Sequence, residues 1–213
     1  GGDDARPAQP SGNPSSRFVD RSRRRHGGAP PPARRGSSVP RMPPTEDDPI
    51  AARALAAVAA TGAPYEVVRI DPELADTAAF CAAYGYDLDE SANCLLVASR
   101  DDDPVIAACL VLATTRLDVN RTVRRLLGVK RLSFAPPELT LARTGMQLGG
   151  VTPFGLDPDI PLYADARIAD RPRVIVGGGS RAVKLLVPPA ALTAIGAEFV
   201  EGLAGPLPAA DPA

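Results

Sequence analysis

Two apolar runs placed side by side constrain this chain more than any other feature. Ala92–Ser99 (ANCLLVAS) and Val105–Ala113 (VIAACLVLA) are short, apolar and separated by the acidic turn Asp101-Asp102-Asp103-Pro104. Runs of this length bounded by turn residues read as strands, and so short a connection pairs them antiparallel, as a hairpin with a longer loop. Tyr65–Ile70 (YEVVRI), Arg131–Phe134, LYADA (162–166), RVIVG (173–177) and AVKLLV (182–187) also read as strands. Between them lie fewer helices. IAARALAAVAATG follows Thr45, Glu46, Asp47 and Asp48 and ends at Gly62, which suits a helix dipole and its caps. Thr77–Tyr84 stops at Gly85, Asp118 caps a segment through Leu127, and short helices start at Pro137 and Pro189. Several strands follow one another directly, so the expected class is α+β with a largely antiparallel or mixed sheet, not a Rossmann array.

Charge divides the chain. Residues 1–44 hold nine Arg, three Asp and nine prolines, a balance of +6, and residues 45–213 carry −7. The first segment has too little apolar surface to offset its ordering entropy and is expected to be a disordered tail. Its Arg21–Arg25 run is either a solvated tail or a nonspecific arm for nucleic acid. Met42 is a candidate translation start, with residues 1–41 then foreign to the native protein. The domain is expected over 45–201, with 202–213 a flexible C-terminal tail. Hydrophobic residues make up 45% of the chain and aromatics only 4%, so the core is aliphatic. The single histidine, His26, lies in the Pro/Arg-rich stretch. That argues against a Ser-His-Asp triad, a Cys-His dyad or a histidine-held metal. Three cysteines (Cys81, Cys94, Cys109) without a C-x-x-C spacing read as reduced core thiols of a cytoplasmic protein. No apolar run suits a membrane span or a secretion signal. Neither a metal nor another cofactor is expected.

Three stretches are candidates for chemistry. TGMQLGGVTPFG (144–155) is rich in glycine, and Pro153 fixes one φ angle. It is either a tight connection or a rigid loop whose N–H groups meet a ligand. Gly177-Gly178-Gly179-Ser180-Arg181 lacks the spacing of a dinucleotide fingerprint or a P-loop. It is either a hairpin turn or a wall leaving room for a bulky ligand. Arg121, Arg124 and Arg125 recur at helical spacing within the one dense basic patch of an acidic domain. They are either a solvated face or a contact for a phosphate backbone.

TGMQLGGVTPFG, the Asp165 of YADA, and VGGGSRAVKL ending at Pro188 resemble the YbaK/EbsC family. These are YbaK-type aminoacyl-tRNA deacylase domains, also found as the editing insertion of bacterial prolyl-tRNA synthetases. ESANCLLVAS and VLATTRLDVNRTVRRLLG fit the same order, and the likeness spans about residues 48–200. The G-x-x-x-P element, Gly149–Pro153, is its most specific part. The resemblance implies a mixed, partly closed β-barrel flanked by helices. It also implies a free-standing, trans-editing deacylase of mischarged tRNA, with a synthetase as a partner in trans. Gly149, Gly150, Val151, Thr152 and Pro153 would cradle the aminoacyl ester, with Asp165, Gly178, Gly179 and Arg181 lining the pocket. Arg121, Arg124 and Arg125 would meet tRNA. The family places a functional lysine where this chain has Asn93, which donates a hydrogen bond but carries no charge. Lys184, among apolar strand residues, is the candidate to have taken over the cationic role. The rival readings are a tRNA- or aminoacyl-binding module that has lost hydrolysis, and a hydrolase of simple esters.

Overall fold

The computed structural model describes residues 48–207. The expected N-terminal tail through residue 44, the Met42 start and the last six residues lie outside the described residues. Helix α1 (Pro49–Ala60) is capped by the Asp48 carboxylate, which accepts from Ala51 N at 3.0 Å. It buries Ala51, Ala54 and Val58 completely, a stripe at helical spacing. Strand β1 (Glu66–Arg69) leads through a turn to α2 (Thr77–Tyr84), capped by Asp76 and ended by Gly85. Strands β2 (Ala92–Ser99) and β3 (Ile106–Leu112) form the expected hairpin, with Ala92 facing Leu112 and Ala98 facing Ile106. The Ser99 hydroxyl closes the acidic loop by accepting from Val105 N at 3.0 Å.

Beyond β3 the chain departs from expectation. A short strand, β4 (Thr115–Leu117), precedes Asp118. The single helix expected from Asp118 to Leu127 is a wide π turn over Val119–Val123 followed by one α-helical turn, α3 (Arg124–Leu126). Asp118 caps it by engaging twice, accepting from Arg121 N at 3.2 Å and from the Thr122 hydroxyl at 3.1 Å. Strand β5 (Leu132–Phe134), helix α4 (Pro137–Thr144), strands β6 (Leu162–Asp165), β7 (Val174–Gly177) and β8 (Val183–Val187), and helix α5 (Pro189–Ala194) follow. Two strands unforeseen in the sequence end the fold: β9 (Glu198–Val200) and β10 (Ala204–Pro206). The expected tail from residue 202 is corrected there. Leu203 is fully buried, and β10 pairs antiparallel with β4.

The strands form a five-stranded sheet, β5-β2-β3-β6-β9, a three-stranded sheet, β1-β8-β7, and the β4-β10 ribbon. β6 runs parallel to β3 and β9, and the other pairs are antiparallel, so the architecture is mixed α+β. Among the described residues the pairings do not run round into a closed barrel. One parallel bridge, Ser91 to Ile175, joins the two larger sheets. β3 is buried at all seven positions because both of its faces are covered, which explains its unbroken apolar run. Leu110 and Leu112 face the main core with α1, whereas Cys109 and Val111 face a second core under the π turn.

Candidate functional site

The Ser91–Ile175 bridge marks where the two larger sheets meet, and an open cleft of about 530 Å³ lies there. The start of β2 (Ser91–Leu95), the entry to α2 (Ala75–Ala78), the loop at Leu148, Gly149 and Val151, the end of β7 and Lys184 enclose it. The folding reasons are local. Asp76 caps α2 by accepting from Ala78 N at 3.0 Å, which sets Ala75 and Thr77 at the cleft wall. Gly145 ends α4 in the left-handed conformation and turns the chain into the glycine loop.

Lys184 is the centre of this arrangement. β8 is the middle strand of its sheet, with Val183, Leu185 and Val187 directed into the main core. Lys184 and Leu186 occupy the opposite face. The cross-strand neighbours of Lys184 are Val68 on β1 and, on β7, Gly177, which has no side chain to crowd it. Lys184 is only 6% exposed, and its Nζ lies 5.6 Å from the centre of the Phe80 ring. It donates to Ala75 O at 2.8 Å and to Gly149 O at 3.1 Å. The amine therefore joins the α2 entry to the glycine loop. Burial pushes its proton affinity below the ordinary lysine range, against the opposing pull of Cys81 and Asp76. With two N–H groups engaged, the remaining position on nitrogen is a third N–H when charged and a lone pair when neutral.

Asn93 lines the same cleft on β2. Its Oδ1 accepts from the Thr77 hydroxyl at 2.7 Å, which leaves the amide N–H groups as the half of the side chain free to donate. Gly149, Val151, Asn93 and Lys184 thus line one cleft. Gly150 lies just behind. A Cβ there would stand 2.5 Å from the Ser180 carbonyl carbon, and one on Gly177 would stand 2.2 Å from Val151 O. The loop and the β7–β8 turn are in backbone-to-backbone contact, and Gly179 N donates to Gly150 O at 2.8 Å.

Other expected pocket residues have different places. Thr152 and Pro153 are buried beneath the loop, where Thr152 Oγ1 accepts from Phe154 N at 3.4 Å. The Gly178 Cβ position is filled by the Val183 side chain at 2.4 Å, and that of Gly179 by Ile50 O at 2.9 Å, so both glycines serve packing. Arg181 clamps the rim from outside, donating to Leu148 O at 3.0 Å and to Pro72 O at 2.9 Å. Asp165 is corrected outright as a pocket residue. It is 1% exposed and accepts from Arg167 Nε at 2.7 Å, Arg167 N at 3.1 Å and Ala204 N at 3.0 Å. Burial raises its proton affinity, but these bonds outweigh that and hold the carboxyl below its usual range. It fastens β6 to β10. Residues missed by the sequence reading are Ala75, Thr77 and Phe80, which orient the two polar side chains. The Asp76 cap was the signal that could have found them.

Cys94 borders the cleft but is buried, and burial pushes its thiol far up. Cys109 is pushed up to about 12 by the same cause. Neither is a nucleophile. Among the described residues no three His, Cys, Asp or Glu side chains gather into a metal-holding set, and no helix is long and apolar enough to cross a membrane. Arg121, Arg124 and Arg125 are exposed on the π turn and α3, away from the cleft lining.

A family model described as the aminoacyl-tRNA editing domain matches residues 71–195, a span that contains every polar group of the cleft. Solved structures agree in fold. One, a candidate trans-editing enzyme for prolyl-tRNA synthetase, is 25% identical, with 72% of this chain and 96% of that one covered at a TM-score of 0.61. Another, the hypothetical protein APE2540, is 24% identical, with 72% and 99% covered at a TM-score of 0.64.

Proposed function

Because the chain belongs to the aminoacyl-tRNA editing domain family, we propose that it is a free-standing deacylase that hydrolyses the ester of mischarged tRNA in trans to a synthetase. The observation that carries this reading is the meeting of Asn93, Lys184 and the Gly149–Val151 loop on one cleft. Second-site hydrolysis answers a physical problem: small side chains differ too little in binding energy to be sorted once.

In the proposed reaction a water molecule adds to the ester carbonyl carbon and its oxygen becomes an oxyanion. The Asn93 amide and, when charged, the third N–H of Lys184 are donors facing that oxygen. The carbonyl–ribose C–O bond then breaks, the ribose oxygen takes a proton, and the amino acid leaves as a carboxylate. The water's protons pass to the departing ribose oxygen and to solvent. The neighbouring hydroxyl of the terminal ribose is placed to relay the transfer, so no histidine is required. Lys184 supplies the charge that the family lysine position, here Asn93, does not. Its second task is to hold Gly149 O, which keeps the loop closed on the substrate.

Turnover across a panel of mischarged tRNAs tests the reading. Release of amino acid from at least one member, lost in Asn93→Ala and Lys184→Met, is the expected result. Binding of tRNA with no turnover across the panel makes the chain a binding module. Equal turnover of simple amino acid esters without tRNA makes it a small-ester hydrolase.

A further inference from the structure

A second groove opens on the far side of the β4–β10 ribbon, under the π turn and the exposed edge of β5. Arg100, Arg116 and Arg121 line it, all exposed and none in a salt bridge among the described residues. Asp118 lines it too, but its carboxylate is engaged by Arg121 N and Thr122 Oγ1. Phe134 stands at the edge, 52% exposed in a chain with only five phenylalanines. Gathering three unpaired guanidinium groups in an otherwise acidic domain costs mutual repulsion, and a bare phenyl ring in water costs apolar hydration. A ligand that offers both negative charge and a flat π face relieves both at once, and nucleotides in a single strand do so. The groove also adjoins the cleft. Pro206 borders the groove and its neighbour Leu207 borders the cleft, and Arg116 and Ala113 divide the same way three residues apart.

We propose that this groove is a binding track for single-stranded RNA, in which a base stacks on Phe134 and Arg100, Arg116 and Arg121 hold the adjoining phosphates. It rests on the editing reading only for which RNA enters it, the unpaired 3′ end of a tRNA. Sequence spacing had grouped Arg121 with Arg124 and Arg125. Arg124 and Arg125 do not line the groove, which sets Arg121 with Arg116 of the same basic stretch and adds Arg100 and Phe134.

Fluorescence anisotropy with the full chain tests it, using uncharged tRNA, the same tRNA lacking its four unpaired 3′ nucleotides, and AMP as probes. Phe134→Ala is expected to weaken binding of intact tRNA by about 5- to 150-fold, with Phe134→Tyr restoring it. The triple change of Arg100, Arg116 and Arg121 to Gln is expected to lower the slope of log affinity against log salt by about 2. Truncated tRNA and AMP are expected to bind weakly and to be indifferent to Phe134→Ala. Unchanged affinity and salt slope in these variants overturns the groove, as does equal sensitivity of the truncated tRNA. AMP binding that matches intact tRNA and is lost in Phe134→Ala also overturns it, by making the site one for a free nucleotide. Loss of tRNA binding in the variants of a chain that hydrolyses no mischarged tRNA leaves the groove standing and sinks the editing reading.

Discussion

Replacing Lys184 by methionine separates the chemistry of the cleft from the stability of the fold. The side chain is only 6% exposed and runs beside Phe80, so methionine fills nearly the same volume without a cavity. Two hydrogen bonds disappear, those to Ala75 O and Gly149 O. A hydrogen bond from a charged donor contributes roughly 1.5–3 kcal/mol, so their loss costs about 3–6 kcal/mol. Against it stands the penalty for keeping an ammonium group out of water, still several kcal/mol after relaxation. The two nearly cancel, and the unfolding free energy should move by less than about 2 kcal/mol. Activity has no such offset. Loss of one preorganised donor at an oxyanion costs about 100- to 1000-fold in kcat, and a released Gly149 adds to it. The assay is single-turnover deacylation of the best mischarged tRNA, with urea unfolding on the same preparation. A Lys184→Met protein within twofold of wild-type kcat refutes the reasoning. A collapse in stability would show instead that Lys184 is chiefly a structural clamp.

Other consequences are as direct. Asp165→Ala removes the bonds that fasten β6 to β10 and should lower stability by about 2 kcal/mol in urea, while kcat and KM of the folded fraction stay within about twofold. Gly177→Ala drives a Cβ against Val151 O and should cost about 1–3 kcal/mol or more, and raise KM by displacing the loop. The unfolded chain holds the Lys184 proton more tightly than the folded one, so this group's contribution to stability grows as pH rises toward 10.5 and fades below. The difference in urea midpoint between wild type and Lys184→Met should therefore shift in favour of wild type from pH 8 to pH 10. Burial keeps Cys94 and Cys109 as thiols, so native protein should resist alkylation at both up to pH 9, and modification without unfolding would contradict their placement.

The elements themselves were legible where local chemistry and burial agree. The β2–β3 hairpin with its acidic turn, α2 stopped by Gly85, and α5 begun by Pro189 carry their own turn, stop and start signals. The family was legible too, because Gly149 of the G-x-x-x-P loop takes a positive φ and Gly150 after it lies where two backbones touch, and glycines so constrained leave a mark in the sequence. The π turn, the β4–β10 ribbon and the role of Asp165 were not legible. Strands of three residues have no period to read, and the Asp165 partners include Ala204, 39 residues away. For the site, alternation along β8 placed Lys184 opposite Val183 and Leu185 but left open whether it lay at a solvent edge or in a pocket. Only tertiary pairing decided that. β8 is the inner strand of its sheet with Gly177 across from it, so the amine is enclosed and must find its partners in Ala75 O and Gly149 O. Residue order specifies which side chains share a face. What each face meets depends on contacts between segments a hundred residues apart, and those exist only once the chain has folded.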